Sequence, residues 1–162
     1  MGEMVMKTFS KLVPFVPTPV NVVERMLDLA GVEEGEKVYD LGCGDGRIIL
    51  MAASKYGARG VGYELRPNLV HHVRERVRVL RLDDMVTVVN RDLAKASLND
   101  ADVVTLYLTT PVLQRIRPQL EEALSKGARI VCHNFPIPGL IPSEVETKSG
   151  RRLYLYTKVQ KI

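Results

Sequence analysis

The stretch KVYDLGCGDGRIIL, residues Lys37–Leu50, decides the fold of this chain. It begins as a buried β-strand and passes through three alternating glycines, Gly42, Gly44 and Gly46, into the start of a helix. A glycine-rich turn between a strand and a helix lets backbone N–H groups and the helix N-terminus approach a ligand closely. The stretch therefore predicts a ligand-binding loop in an α/β protein.

Helix and strand patterns alternate on both sides of this loop. The segment TPVNVVERMLDLAGV predicts a helix with Thr18 as its N-cap, Pro19 as its first residue and Gly31 as its stop signal. Strands are predicted at 37–41 and in GVGYE, MVTVVNRD, ADVVTLYL and ARIVCHN, with helices near 45–56, 67–82 and 111–126. This order predicts an α/β, Rossmann-like three-layer sandwich with a mostly parallel sheet.

The pattern changes after the fifth predicted strand. The segments SEVETK and RRLYLYTKVQ flank Ser149 and Gly150 and predict a hairpin that turns at this pair. The sheet should therefore end with antiparallel strands.

Size and charge restrict the function only loosely. A length of 162 residues fits one domain. A net charge of +4 and a pI near 9.1 permit an acidic partner such as nucleic acid without requiring one. The arginine-rich segment 74–82 is interpreted as a solvated helix face, because Val70, Val73, Val77 and Leu80 recur there at helical spacing.

Other compositional features bear on the cellular setting. No stretch reaches the roughly 18 apolar residues of a membrane span, and the N-terminus lacks the pattern of a signal peptide, so we expect a cytoplasmic protein without a membrane partner. Cys43 and Cys132 would follow separate strands, too far apart to pair, and are predicted to be free thiols. Arginine outnumbers lysine by 14 to 9, which would suit a thermophile.

The glycine loop matches neither of two common nucleotide fingerprints. The dinucleotide pattern G-x-G-x-x-G needs a glycine where this chain has Arg47, and the P-loop ending G-K-[ST] is absent. What remains is an acidic residue, Asp40, before three alternating glycines. A carboxylate at that position suits an ammonium group better than a pyrophosphate.

This pattern resembles that of the seven-stranded, S-adenosylmethionine (SAM) dependent methyltransferases. The resemblance implies that Asp40 and the glycines hold the amino-acid end of SAM. Glu64, with Leu65 next to it, would accept hydrogen bonds from the two ribose hydroxyls. Asp92 would accept from the adenine amine, with Leu93 against the ring.

Each of these residues also has a structural alternative. The glycines could form only a tight turn, Glu64 could be a solvated strand end, and Asp92 could cap the next helix. Their occurrence in order, at successive predicted strand ends, favours SAM binding.

The segment LVPFVPTPVNVVERML, together with GVGYEL and HNFPIPG, resembles a narrower family. These segments are similar to those of small protein-lysine methyltransferases related to the mitochondrial enzymes that modify the c subunit of ATP synthase and the adenine nucleotide translocase. The resemblance is greatest to their compact archaeal relatives of broad specificity. It implies that residues 1–17 form an N-terminal arm over the cofactor edge of a single domain, 18–162. Val16 and Thr18 would contact the methionine end of SAM.

The same resemblance implies a lysine channel walled by Phe15, Tyr107 and Phe135, which are the candidate catalytic residues because they would contact the substrate. An apolar channel and a sulfonium charge would both lower the pKa of a lysine, so we expect no dedicated general base. His71, His72 and His133 lack metal-ligand spacing, and no metal is expected.

Two other functions stay open from the sequence. The basic pI and the arginine-rich helix would also suit an RNA methyltransferase, although the segment LYLTTP lacks the Asn/Asp-Pro-Pro-Tyr motif of many nucleic-base methyltransferases. A SAM-binding protein without transfer activity is the second alternative. No residues are left over for a separate recognition domain, so we expect a monomer that modifies accessible lysines on several proteins.

Overall fold

The computed structural model describes residues 15–162, and its elements follow the predicted alternation. The strands are β1 (Lys37–Leu41), β2 (Arg59–Tyr63), β3 (Val86–Val89), β4 (Val103–Leu106), β5 (Arg129–His133), β6 (Glu144–Lys148) and β7 (Arg151–Tyr156). The helices are α1 (Val20–Leu29), α2 (Arg47–Tyr56), α3 (Pro67–Val79) and α4 (Thr110–Ser125), with a short 3₁₀ helix at Leu93–Lys95.

The strands form one seven-stranded sheet in the order β3-β2-β1-β4-β5-β7-β6. Strands β1 to β5 are parallel, and β7 is antiparallel to both of its neighbours, β5 and β6. The mostly parallel, Rossmann-like sheet with an antiparallel C-terminal hairpin is therefore confirmed. The carboxyl ends of the parallel strands meet at one edge, where ligands bind in folds of this kind.

Apolar side chains alternate between the two faces of the sheet, and each face has its own core. Val38 and Val103 pack on the face covered by α1 and α2, while Tyr39 and Val104 pack on the face covered by α4. Helix α3 extends the first layer over β3. The three layers are thus helix, sheet and helix.

The start of α1 differs from the prediction. The helix begins at Val20 with Pro19 in the N-cap position, and no side chain of the described residues caps it. Thr18 precedes the N-cap position by one residue, and its hydroxyl bonds to buried His133 instead. The N-cap prediction for Thr18 is therefore wrong. Gly31 has a φ of +65° just after the helix, as predicted for its stop signal.

The hairpin turn is confirmed at Ser149 and Gly150. Both residues have positive φ, +52° and +74°, which matches the right-handed twist of a two-residue hairpin. This tight turn fixes where β7 begins, and so places Arg151 at the carboxyl edge of the sheet.

The arginine-rich segment forms the solvated face of α3. Val70, Val73 and Val77 are buried, whereas Arg74 and Arg78 are exposed. Leu80, which was expected on the buried face, lies beyond the helix and is 48% exposed. Both cysteines are buried free thiols. Within 15–162, no helix is long and apolar enough to cross a membrane.

Candidate functional site

The glycine loop turns sharply at the end of β1. Gly42, Gly44 and Gly46 all have positive φ, and the N–H groups of Gly42 and Cys43 both donate to the carbonyl of Tyr63 at 2.9 Å. A Cβ on Gly46 would lie 2.6 Å from Val73, so α3 can approach the loop only because this residue is glycine. The loop is therefore held against the ends of β1 and β2.

Asp40 is a buried carboxyl group near the end of β1. It is 4% exposed, and its Oδ1 accepts a hydrogen bond from the Thr105 hydroxyl at 3.0 Å. Burial raises the pKa of Asp40 to about 7, and the nearby charges of Glu64 and Asp45 add to the effect. No Lys or Arg of residues 15–162 forms an ion pair with Asp40. The site thus has a place for a ligand cation, such as an ammonium or sulfonium.

Glu64 follows β2 and is buried rather than solvated, at 4% exposure. Its Oε1 accepts from the N–H of Gly44 at 3.0 Å, and its Oε2 accepts from the N–H of Arg66 at 2.8 Å. Oε2 also accepts a longer contact from Arg66 Nη1, at 3.4 Å, so three of the roughly four acceptor positions of the carboxylate are engaged and Oε1 keeps one open for a ribose hydroxyl.

Asn90, which the sequence did not single out, ties the ends of β2 and β3 together. Its Nδ2 donates to the carbonyls of Glu64 at 2.9 Å and Leu65 at 3.2 Å. Asp92 caps the short 3₁₀ helix by accepting from the N–H of Ala94 at 2.9 Å, and Leu93 is buried in the core.

A cleft of about 460 Å³, including its part open to solvent, lies over the loop. The sequence-predicted residues that line it are Phe15, Val16, Thr18, Asp40, Gly42, Gly44, Glu64 and Tyr107. Gly46, Leu65, Asp92, Leu93 and Phe135 are not among its lining residues. The cleft therefore gathers most of the residues predicted for the amino-acid and ribose end, without Gly46 and Leu65, while the adenine side remains a prediction.

Residues 15–18, here called the arm segment, form one wall of this cleft; residues 1–14 of the predicted arm lie outside the described part of the chain. The Phe15 ring lies directly on the loop, because a Cβ on Gly44 would be 2.5 Å from its Cε2. The positive φ favours glycine at position 44, and a side chain there would also displace the Phe15 ring.

Arg47 joins the arm segment to the loop. Its guanidinium pairs with Asp45 at 2.6 Å and donates from Nη1 to the backbone carbonyl of Thr18 at 2.9 Å. In the sequence, Arg47 indicated only that the loop is not a dinucleotide site. The contact between Arg47 and Thr18 could not be predicted from the motif, because Thr18 lies outside the motif.

His133 forms a second connection to the arm segment. It ends β5, is fully buried, and contacts Thr18 Oγ1 through Nδ1 and Arg151 Nη1 through Nε2, both at 3.1 Å. Burial and the Arg151 charge lower the pKa of His133 to about 4. The ring of Tyr107 stacks on His133 with centroids 3.8 Å apart, and that of Phe135 lies 6.5 Å from Tyr107.

Exposed apolar side chains lie at the cleft and beside it. Phe15, Val16 and Phe135 are 41%, 48% and 36% exposed, next to half-buried Tyr107. No group of three or more potential metal ligands occurs in the described part of the chain. This arrangement offers an apolar approach to a site that is polar and anionic at its base.

The sequence model of one protein family, the ANTKMT methyltransferase domain, matches residues 40–144, from the acidic residue of the loop to the start of β6. This chain belongs to the ANTKMT methyltransferase family.

Relatives extend the likeness over most of this ANTKMT-family chain. A protein-lysine N-methyltransferase of Saccharolobus islandicus is 37% identical over 149 residues, covering 89% of this chain and 92% of that protein. The mouse adenine nucleotide translocase lysine N-methyltransferase is 38% identical and covers 89% of this chain. This chain spans 62% of the length of the mouse enzyme. It spans 60% of the human lysine N-methyltransferase for the c subunit of ATP synthase, to which it is 32% identical.

A similar solved structure is named after RNA and not lysine as the methyl acceptor. It is the crystal structure of an RNA methyltransferase from Salinibacter ruber in complex with S-adenosylhomocysteine. It is 44% identical to this chain and superposes with a TM-score of 0.85, covering 91% of this chain and 96% of that one. The likeness therefore extends over nearly the whole fold.

Proposed function

We propose that this chain is a SAM-dependent protein-lysine N-methyltransferase that acts on accessible lysines of several proteins. The observation that carries the proposal is the buried Asp40 carboxyl beside the glycine loop, which has no ion-pair partner among residues 15–162. Membership of the ANTKMT methyltransferase family and the name of the Saccharolobus relative support lysine as the acceptor.

The residues of the cleft fit the amino-acid end of SAM. Asp40 would face its ammonium group, with Val16 and the Thr18 hydroxyl near the rest of that end. When bound, SAM supplies an electrophilic methyl group on a sulfonium. The backbone of Gly42, Gly44 and Gly46 would allow close approach to the ligand.

The other predicted residues would hold the nucleoside. Glu64 would accept from the ribose hydroxyls, with Leu65 alongside. Asp92 and Leu93 are proposed for the adenine, at the carboxyl end of β3 next to β2. Ordering all of these groups before the reaction lowers the entropic part of the barrier.

The acceptor lysine is proposed to enter between Phe15, Tyr107 and Phe135. A free lysine has a pKa near 10.4 and must lose a proton before it can attack. Apolar walls exclude water and lower that pKa, and orientation of the neutral amine then provides most of the acceleration. His133 would be a poor base, because both of its ring nitrogens are engaged and burial beside Arg151 lowers its pKa to about 4.

The proposal includes a monomeric protein that works in the cytoplasm of a thermophile. Buried, unpaired Cys43 and Cys132 support a reducing compartment. The ion pairs Arg129–Glu36 and Arg25–Glu146, which connect distant parts of the chain, support adaptation to heat.

A label-transfer experiment tests the proposal. The purified protein is incubated with methyl-labelled SAM and a cell extract, and protein is then separated from nucleic acid. We expect label in protein, with methyl-lysine found by mass spectrometry. Asp40→Asn should lose most of this activity, whereas Asp84→Asn, a change of the same type at an exposed position, should retain it.

RNA methylation is the second candidate, because the Salinibacter structure is described as an RNA methyltransferase and this chain has a net charge of +4. If the label enters RNA, and if the affinity for RNA falls steeply with salt, the acceptor is RNA and not lysine. SAM binding without label in either fraction would leave only the third alternative, a binding protein without transfer activity.

A further inference from the structure

Arg151 and His133 form a polar chain that ends at the wall of the cleft. Arg151 begins β7, and His133 ends β5, its antiparallel neighbour. The guanidinium contacts His133 Nε2 at 3.1 Å, and His133 Nδ1 contacts Thr18 Oγ1 at the same distance. The sequence predicted no role for either Arg151 or His133.

The donors and acceptors along this chain can be assigned from chemistry. A guanidinium has only N–H donors, so the His133 nitrogen that faces it must be an acceptor. The imidazole is neutral because it is fully buried beside a positive charge. Its single proton therefore lies on Nδ1, which donates to Thr18 Oγ1.

This assignment determines what Thr18 can offer a ligand. Its hydroxyl oxygen accepts from His133, so its own proton is left to donate elsewhere, and Thr18 lines the cleft. Its backbone carbonyl is held by Arg47 at 2.9 Å, so the residue is fixed at both groups. A fixed donor in the cleft suits an anionic group, such as the carboxylate of an amino-acid ligand.

We infer that Arg151 is a positioning residue: through His133, it holds the Thr18 hydroxyl as a hydrogen-bond donor to the carboxylate of the cofactor. The inference rests on the proposed function, which places the amino-acid end of SAM in this cleft. It assigns the C-terminal hairpin a role in cofactor binding, since the turn at Ser149 and Gly150 brings Arg151 to the site.

The first test measures the tautomer directly. Long-range ¹H–¹⁵N spectra of the folded protein, with His133 assigned by its loss in His133→Asn, distinguish a protonated from a bare ring nitrogen. We expect the proton on Nδ1 in the original protein and a change of the His133 pattern in Arg151→Met. A proton on Nε2 in the original protein would overturn the inference.

The second test compares two ligands. S-adenosylhomocysteine carries the amino-acid end, and 5′-methylthioadenosine lacks it. Arg151→Met should weaken binding of the first about tenfold, as expected for a lost hydrogen bond to a charged group, and leave the second within about twofold. Arg151→Lys, which keeps a donor-only cation, should retain most of the affinity.

The matched control is Arg152→Met, because Arg152 is the next residue of β7 but is exposed. It removes the same charge and should change neither affinity. If Arg151→Met and Arg152→Met lost the same affinity for S-adenosylhomocysteine, the effect would come from long-range charge and the inference would be wrong. Equal losses of both ligands in Arg151→Met would overturn it in favour of general disruption.

A double variant separates an indirect from a direct role. If Arg151 acts through Thr18, then Thr18→Val with Arg151→Met should bind S-adenosylhomocysteine no more weakly than Thr18→Val alone. Additive losses would mean that Arg151 acts by another route, either by contacting the carboxylate itself or through the Tyr107 hydroxyl, which its Nη1 reaches at 3.5 Å, and the inference would be wrong. These binding experiments contain no methyl acceptor, so they are independent of whether lysine is the substrate.

Discussion

Asp40 is expected to favour binding of a cationic ligand but to lower the stability of the ligand-free protein. Its carboxyl is buried beside the glycine loop, and its pKa is raised to about 7, above the ordinary range of an aspartate. The folded protein therefore binds more protons than the unfolded chain between about pH 4 and pH 7. The free energy of unfolding must fall as the pH rises through this interval, and the full loss is reached above pH 7.

We expect Asp40→Asn to stabilise the protein without ligand, because an amide cannot ionise and still accepts from Thr105. The Tm should rise by roughly 4 °C or more at pH 8 and by clearly less at pH 5, as followed by calorimetry. Asp84→Asn should shift the Tm by less than about 2 °C at both values. A Tm gain for Asp40→Asn that is the same at pH 5 and pH 8 would contradict a raised pKa.

At the scale of elements, the arm segment is held by contacts with two different parts of the fold. Arg47, at the start of α2, donates to the Thr18 carbonyl, and His133, at the end of β5, bonds to the Thr18 hydroxyl. The Phe15 ring lies on Gly44. The arm segment is therefore positioned by the loop and the sheet together.

We expect Arg47→Met to loosen the arm segment and to weaken S-adenosylhomocysteine binding roughly three- to tenfold, because a charge-assisted hydrogen bond to Thr18 is lost. The amides of Phe15, Val16 and Thr18 should become more mobile, as measured by ¹⁵N relaxation. The control is Lys55→Met. Lys55 is also a cation of α2, but it pairs with Glu24 on α1. Unchanged ¹⁵N relaxation at the arm segment in Arg47→Met would show that Arg47 does not hold it.

For the whole molecule, we propose that the accessibility of the cleft governs which lysines can react. Exposed Phe15 and Val16 line the cleft, exposed Phe135 lies next to Tyr107, and the described residues form only the sheet, its helices and this edge. Selection should therefore depend on whether a lysine can reach the cleft more than on an extended recognition surface.

We expect an unfolded substrate to be methylated at more sites than the same protein in its folded form. Ribonuclease A, native or reduced and alkylated, allows the comparison at constant sequence, with sites and their extents measured by mass spectrometry. Several-fold more methylation of the unfolded form is expected. A single site methylated equally in both forms would instead indicate recognition of a defined sequence.

Local sequence patterns were sufficient for most elements and for the residues at the strand ends. Asp40 and Glu64 could be identified because a strand followed by a glycine turn places its last residues at the sheet edge. Thr18 was placed in the site but assigned the wrong local bond, because Pro19, not Thr18, occupies the N-cap position. Arg47 was recognised only as an interruption of a motif.

By itself, the sequence determined the alternation of strands and helices, the glycine loop and the acidic strand ends, because these depend on neighbours within a few residues. Only the tertiary structure decided how the site is held together. Thr18 and His133 are separated by 115 residues, and Thr18 and Arg47 by 29, so no local pattern links them. Arg151 reaches His133 because β7 pairs with β5 in a particular register, and that register results from packing of the complete sheet.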